Sequence, residues 1–383
     1  MTIISVTWTI YDDRLKAFMN NCTGGGLVIK NICEYIGRKE KSYLFLGQVL
    51  LPEIRLDHFT ILETLSEEAP DKYDNENYLN YLACQFERHL MRLRPQIVNF
   101  HGIGDFVNKC VAVCERLGIP YVATNHLYIG INNTYSGYER CRVWEDDLYL
   151  KPDIQVTAVS TGIKKRIEKD YPNLKDVKVI LNGTDFMSDM ESEEIQLNND
   201  ILRKKILVCA GTVSERKNQM QIITAFKYLR NDIKDNIVIL FCGNDRMDGK
   251  LQREISENAL DNQVMYCGAL TSKQMKTIYS IAEGLIMPSK AEGLSIAALE
   301  AISYGIPIIM FSDSECVYDL NDKNVVCLAK DRRDETLADA IEEWFDRKWD
   351  GKYIKEYAEE FTLEHMADKY LAFYKELLIR KNV

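Results

Sequence analysis

Neither G-x-G-x-x-G nor a Walker A motif follows the first strand-like run, so the dinucleotide and ATP fingerprints do not apply. The 11 cysteines include no C-x-x-C pair, and the nearest two, Cys110 and Cys114, stand one helical turn apart. With only 5 histidines, scattered along the chain, this is no zinc framework and no metal site is expected. The cysteines read as reduced core residues of a cytosolic protein. No run of about twenty apolar residues exists, so no membrane span is expected. MTIISVTWTIYDDR lacks the basic and apolar regions of a signal peptide. A formal net charge of −10 argues against sequence-independent nucleic-acid binding, which needs a basic face.

What is present is a globular composition, 46% hydrophobic and 28% charged, over 383 residues. That length suits two domains rather than one core. Short β-branched runs alternate with longer helical patterns. IISVTWTI, SYLFLGQVL, PQIVNF, PYVATN and IQVTAVS read as strands in the first half, and ILVCAGT, NIVILFCG, QVMYCGA, GLIMPS and IPIIMFS in the second. Between them DFVNKCVAVCERLG places Phe106, Cys110, Val113 and Leu117 on one helical face. Continuous apolar strands alternating with helices predict parallel sheets covered on both sides. The acidic stretch MSDMESEEIQLNND, residues 187–200, has almost no apolar period and reads as a linker. The expected fold is therefore α/β, with two doubly wound Rossmann-like domains facing across a cleft. FTLEHMADKYLAFYKELLIRK reads as an amphipathic helix with Met366, Tyr370, Phe373 and Leu377 on one side.

Ligands of open parallel sheets bind beyond the carboxyl ends of the strands, so the strand-to-helix turns carry the functional information. In TGGG, residues 23–26, the glycines allow close backbone approach before a helix expected near Leu27. AGTVSERKNQ, residues 210–219, puts Arg216 and Lys217 where two cations suit a diphosphate, or else are solvated. LNGTD is a turn around Asn182 and Gly183, and His101 and His126 each follow a strand.

The stretch AEGLSIAALEAISYGIPII, residues 291–309, is mostly apolar yet carries two carboxylates. Glu292 falls in the turn before a short helix and Glu300 inside it. At about 100° per residue the two do not stack on one face. They reach different parts of one ligand, and the N–H groups of Gly293, Leu294 and Ser295 are placed to meet a phosphate between them. A nucleotide-sugar has that layout, with hydroxyls at both ends and a diphosphate in the middle.

EGLSIAALEAISYGIPI resembles the E-x7-E signature of the retaining, GT-B-fold glycosyltransferases of family 4. The resemblance runs over nearly the whole chain: Gly24 to Gly26, His101, His126, AVSTGIKKRI, VILNGTD, GTVSERKNQ, FCGNDRMDGKL, YCGALTSKQM and the FTLEHMADKYLAFY helix. Only E-x7-E is specific by itself; the order and spacing of the blocks carry the rest. The resemblance implies a donor site holding Gly25, Gly26, Arg216, Lys217, Gly268, Leu270, Glu292, Gly293, Leu294, Ser295 and Glu300. Glu300 takes the donor ribose, Glu292 lies by the transferred sugar, and Lys217 holds the diphosphate. Tyr266 to Leu270 form a lip around the base. His126, Glu292 and Lys217 are the implied catalytic residues. One departure stands out: Thr212 occupies a place where the family commonly has arginine, so that either one diphosphate cation is missing or Arg216 supplies it from another direction.

The activity so implied is metal-independent transfer of a sugar from a nucleoside diphosphate, with uridine the expected base, to a carbohydrate or lipid-linked hydroxyl. Bacterial cell-surface polysaccharide or glycoconjugate biosynthesis is the implied setting, in the cytoplasm. Domain boundaries are expected at residues 1–185 plus the 364–383 helix for the acceptor, and 186–363 for the donor. No cofactor is expected beyond the nucleotide-sugar itself. The basic run KKRIEKDYPNLKDVK reads as a solvated helix face, with peripheral contact to the inner face of a membrane as the alternative. Two rivals keep the fold: a sugar-nucleotide epimerase, which lacks identifiable extra acid/base carboxylates, and a non-catalytic partner subunit, supported only by Thr212.

Overall fold

The computed structural model of the chain describes residues 1–12, 15, 24–70, 75–130, 139–185, 193, 195, 197 and 199–381. Thr23 of the glycine loop and most of the acidic stretch 187–200 lie outside them. The chain forms two compact units, Met1–Gly183 with Leu363–Val383, and Thr184–Thr362.

The first unit holds strands β1 (Thr2–Thr7), β2 (Lys41–Leu46), β3 (Ile54–Arg55), β4 (Phe59–Ile61), β5 (Ile97–His101), β6 (Tyr121–Asn125), β7 (Gln155–Ala158) and β8 (Lys178–Val179). Their order is β3-β4-β2-β1-β5-β6-β7-β8, parallel throughout except for the antiparallel β3–β4 edge. β1, TIISVT, is buried along nearly its whole length because it lies mid-sheet with helices over both faces. Helix Asp105–Leu117 buries Phe106, Cys110 and Val113, the face expected from its period. Each such fully buried apolar side chain contributes about 1.5–3 kcal/mol. Helix Leu363–Lys381 returns to this unit: Met366, Tyr370, Phe373 and Leu377 are buried, Asn99 Nδ2 donates to the Tyr374 hydroxyl (2.7 Å), and Lys39 pairs with Asp368 (2.6 Å).

The second unit holds β9 (Lys205–Ala210), β10 (Ile237–Cys242), β11 (Val264–Gly268), β12 (Gly284–Met287), β13 (Ile308–Phe311) and β14 (Val326–Ala329), ordered β11-β10-β9-β12-β13-β14 and all parallel. Chain order reverses at β1 in the first sheet and at β9 in the second. There the loops leaving adjacent strands diverge, β1 from β5 and β9 from β12, and open a crevice at the carboxyl ends.

Four strands are absent from the sequence reading: β3, β4, β8 and β14. β3, β8 and β14 are sheet edges and β4 adjoins one. β3, β4 and β8 are only two or three residues long, too short for a periodic signal, whereas the apolar run of β14, VCLA, was open to reading. The glycine-loop helix begins at Gly24 rather than near Leu27.

Candidate functional site

In the second unit the loops after β9 and β12 are tied to each other. Lys290 N–H donates to Arg216 O (2.8 Å), and Arg216 Nη1 donates to Ala291 O (2.7 Å). This brings Arg216 and Lys217 against Glu292. Lys217 Nζ lies 2.6 Å from Glu292 Oε1 and Arg216 Nη1 lies 3.4 Å from the same oxygen. The contact is close in distance but poorly directed, and Glu292 Oε1 accepts no well-aligned hydrogen bond. Burial pushes the Glu292 carboxyl up, but Lys217 and Arg216 outweigh it and hold the group below its ordinary value, so it is ionised.

Glycines make this approach possible. The Lys217 arm crosses Gly211, where a Cβ would come within 3.2 Å of Cε. Gly243, after β10, is packed so that a Cβ would fall 2.2 Å from Gly211 O. Gly211 N–H donates to Cys242 O (2.8 Å) and Gly243 N–H to Gly268 O (2.7 Å), which stitches the ends of β9, β10 and β11 into one rim. The Tyr266 hydroxyl donates to Gly243 O (2.9 Å), so this ring of the expected base lip is pinned to the same rim. Gly268 and Leu270 are partly buried along it.

The turn 291–295 is buried. Glu292 N–H donates to Glu315 Oε2 (3.3 Å) and Cys316 Sγ donates to Gly293 O (3.4 Å). Helix Ile296–Ser303 follows, and its N-cap Ser295 makes no side-chain cap hydrogen bond. Leu294 and Ser295 are buried at this helix start. Glu300 projects from inside the helix and accepts from the Tyr279 hydroxyl at 3.3 Å. Burial pushes its carboxyl up to about 8, against the pull of that hydrogen bond. The two glutamates of one motif therefore differ at neutral pH: Glu292 is charged and Glu300 is mostly protonated.

In the first unit Gly26 is buried because a Cβ would lie 2.9 Å from Tyr11 N, so it serves close packing against the chain leaving β1. Gly24 and Gly25 are exposed with open space around their Cα atoms. His101 ends β5 and is buried; His126 follows β6 and is partly buried. His101 Nδ1 and His126 Nε2 are 3.0 Å apart, and His101 Nε2 lies 3.4 Å from Ser5 Oγ. His126 Nδ1 is enclosed and has no hydrogen-bond partner among the described residues. Burial pushes both imidazoles down, His126 to about 4 and His101 well below its ordinary value, with His126 adding to the effect on His101.

The expected donor residues from Arg216 to Glu300 thus belong to the second unit, while Gly25, Gly26, His101 and His126 belong to the first. Two residues of the arrangement were not anticipated. Tyr279 stands 21 residues before Glu300 with no sequence mark joining them. Ser5 does leave a signal, as a lone hydroxyl inside the apolar run IISVT. In the basic run, Lys164 pairs with Glu168 (3.5 Å), and Arg166 donates to Ile129 O (2.9 Å) and lies over the Tyr128 ring. Among the described residues no helix is long and apolar enough to cross a membrane.

Two parallel-sheet α/β units of this topology are those of the GT-B fold. Over 99% of this chain and 100% of its own, a sucrose-phosphate synthase from Thermosynechococcus elongatus superposes with a TM-score of 0.79 at 15% identity. Anabaena HepE in complex with UDP does so over 98% and 100%, with a TM-score of 0.68 at 12% identity. Residues 191–361 match the family described as glycosyl transferases group 1, and residues 56–186 match Glycosyltransferase Family 4. The chain belongs to glycosyltransferase family 4. Among curated relatives, the sulfoquinovosyl transferase SQD2 of Arabidopsis thaliana is 21% identical over 60% of this chain and 45% of its own length, so the match spans less than half of that protein.

Proposed function

We propose that this glycosyltransferase is a retaining enzyme that moves a sugar from a UDP-linked donor to a hydroxyl of a carbohydrate or lipid-linked acceptor. The observation that carries the reading is the Lys217–Glu292–Arg216 cluster at the β9/β12 crevice. A diphosphate seated there meets two cations and the start of helix Ile296–Ser303, which favours anions. Uridine is supported by the UDP held by the Anabaena structure of the same fold.

In the reaction the bond from the anomeric carbon to the donor phosphate oxygen breaks, and a bond from that carbon to the acceptor oxygen forms. The acceptor proton passes to a donor phosphate oxygen. Negative charge grows on the leaving diphosphate, where Lys217 and Arg216 act in a partly desolvated setting. These protein cations do the work a metal would otherwise do. Arg216 takes the second-cation role that Thr212 does not fill. Glu292, ionised and beside both cations, faces the transferred sugar, and Glu300 takes the ribose hydroxyls. His126 contacts the sugar or acceptor.

The test is slow release of UDP from UDP-sugars without acceptor. Lys217→Ala should lower turnover by about 10- to 100-fold, with a smaller loss of donor affinity, because developing charge is what it meets. A pure affinity loss would contradict that role. No nucleoside diphosphate from any sugar nucleotide, with binding intact, would favour the partner-subunit reading.

A further inference from the structure

The buried contact between His101 and His126 has a chemical consequence that neither ring has alone. A neutral imidazole carries one N–H and one bare nitrogen, and the hydrogen bond at one nitrogen decides which is which. Both rings are neutral near pH 7, since burial holds both below their ordinary values. A single proton therefore lies between His101 Nδ1 and His126 Nε2, which are 3.0 Å apart. The chain continues from His101 Nε2 to Ser5 Oγ at 3.4 Å and ends at His126 Nδ1, enclosed and without a hydrogen-bond partner among the described residues.

Two arrangements satisfy the chain. In one, His126 Nε2–H donates to His101 Nδ1, His101 Nε2–H donates to Ser5 Oγ, and His126 Nδ1 is a bare lone pair. In the other every proton is reversed and His126 Nδ1 carries hydrogen. The first puts both rings in the Nε2–H form, which neutral imidazole favours intrinsically. It also leaves the Ser5 hydroxyl hydrogen free to turn elsewhere.

We infer that His101, backed by Ser5, is a positioning residue that keeps the proton of His126 on Nε2 and so presents His126 Nδ1 as a bare acceptor for a ligand hydroxyl. The inference rests on the reading of His126 as a contact for the sugar or acceptor. Nδ1 is shielded from solvent in the free protein, so a hydroxyl-bearing ligand satisfies it only once the side chains covering it move aside. A buried polar atom left without a partner is costly, so the ligand relieves a cost already present in the free protein. His101 itself need not touch the substrate.

The test is nitrogen-15 NMR of the full chain labelled in histidine, with resonances assigned from His101→Phe, His101→Asn and His126→Ala. In the wild-type protein His126 should show one tautomer, with protonated Nε2 and unprotonated Nδ1. His101→Phe removes the acceptor and should mix the His126 tautomers while lowering kcat/KM by about tenfold, the loss expected for one hydrogen bond. In His101→Asn the amide oxygen can stand in for Nδ1, so both the single tautomer and most of the activity should return. A wild-type His126 protonated on Nδ1, or a His101→Phe protein that keeps the wild-type tautomer, overturns the inference without any activity measurement. Full activity in His126→Ala with the wild-type tautomer as expected would instead overturn the placing of His126 at the ligand.

Discussion

At the scale of single residues, chemistry follows from environment more than from residue type. Glu292 and Glu300 belong to one motif, yet two cations keep the first charged while burial keeps the second protonated up to about 8. Glu292 also occupies the two cations to which the proposed function assigns the donor diphosphate. In Glu292→Gln, Lys217 and Arg216 lose their buried counter-charge, and the free protein should lose stability, since breaking a buried pair costs roughly 3–5 kcal/mol. UDP should bind that variant more tightly than wild type, because the diphosphate restores the missing negative charge, while sugar transfer falls. Calorimetric affinity alongside turnover checks both; weaker UDP binding in Glu292→Gln would contradict the role assigned to the pair. The Glu292–Glu300 spacing was legible in the sequence. That Arg216 would reach the same carboxylate as Lys217 was not, because it depends on the hydrogen bonds joining two loops some 75 positions apart in the chain.

At the scale of elements, the central strands announce themselves because helices cover both faces and every position tends to be apolar. ILVCAGT, NIVILFCG and QVMYCGA cover nearly all of β9, β10 and β11, whose carboxyl ends form the rim. The short strands at and beside the edges of the first sheet do not: β3, β4 and β8 have two or three residues each, while the longer edge strand β11 was legible as QVMYCGA. β14, VCLA, is wholly apolar and as long as β12, so it was open to the same reading even though it leaves Leu328 exposed. The rim was legible only in part. Glycines after β9, β10 and β11 are visible, but their purpose, backbone approaching backbone, is a tertiary fact. Gly243→Ala tests that purpose. Its Cβ would fall 2.2 Å from Gly211 O at a φ of +157°, so the second unit should lose about 1–3 kcal/mol. Nucleotide affinity should fall with it. Wild-type stability in a urea melt would show that the rim tolerates a side chain there.

At the scale of the whole molecule, buried carboxyls set how stability depends on pH. Glu145, on helix Glu139–Tyr149, is 1% exposed and neither oxygen has a hydrogen-bond partner among the described residues. Burial, reinforced by Asp170 and Asp146 and opposed by Arg166, pushes it up to about 8. An acid with a raised folded-state value holds a proton that the unfolded chain gives up near its ordinary value of 4.5. Stability from this group is therefore complete at low pH, falls as pH rises from about 4.5 to 8, and is level above that. Glu300 acts in the same direction. Glu145→Gln cannot ionise, so relative to wild type it should gain on the order of 4 kcal/mol between pH 5 and pH 9. Urea melts at the two pH values measure this, and an equal wild-type and variant slope would contradict it. The division into two α/β units was legible from the alternation of strands and helices. The buried acid was not, since EDD in a polar helix looks solvated until the helix is packed.

The central claim is that a sugar nucleotide is gripped at the β9/β12 crevice with its ribose on Glu300, and UDP titration of wild type and Glu300→Ala across pH tests it most directly. Ribose hydroxyls donate to an ionised carboxylate, so UDP binding should release the proton Glu300 holds below about 8, and wild-type affinity should rise between pH 6.5 and 8.5. Glu300→Ala should bind UDP more weakly at pH 8.5 by roughly 1.5–3 kcal/mol, about 10- to 150-fold, and should lose that part of the pH dependence. Equal UDP affinity in the two proteins at pH 8.5 would contradict the account.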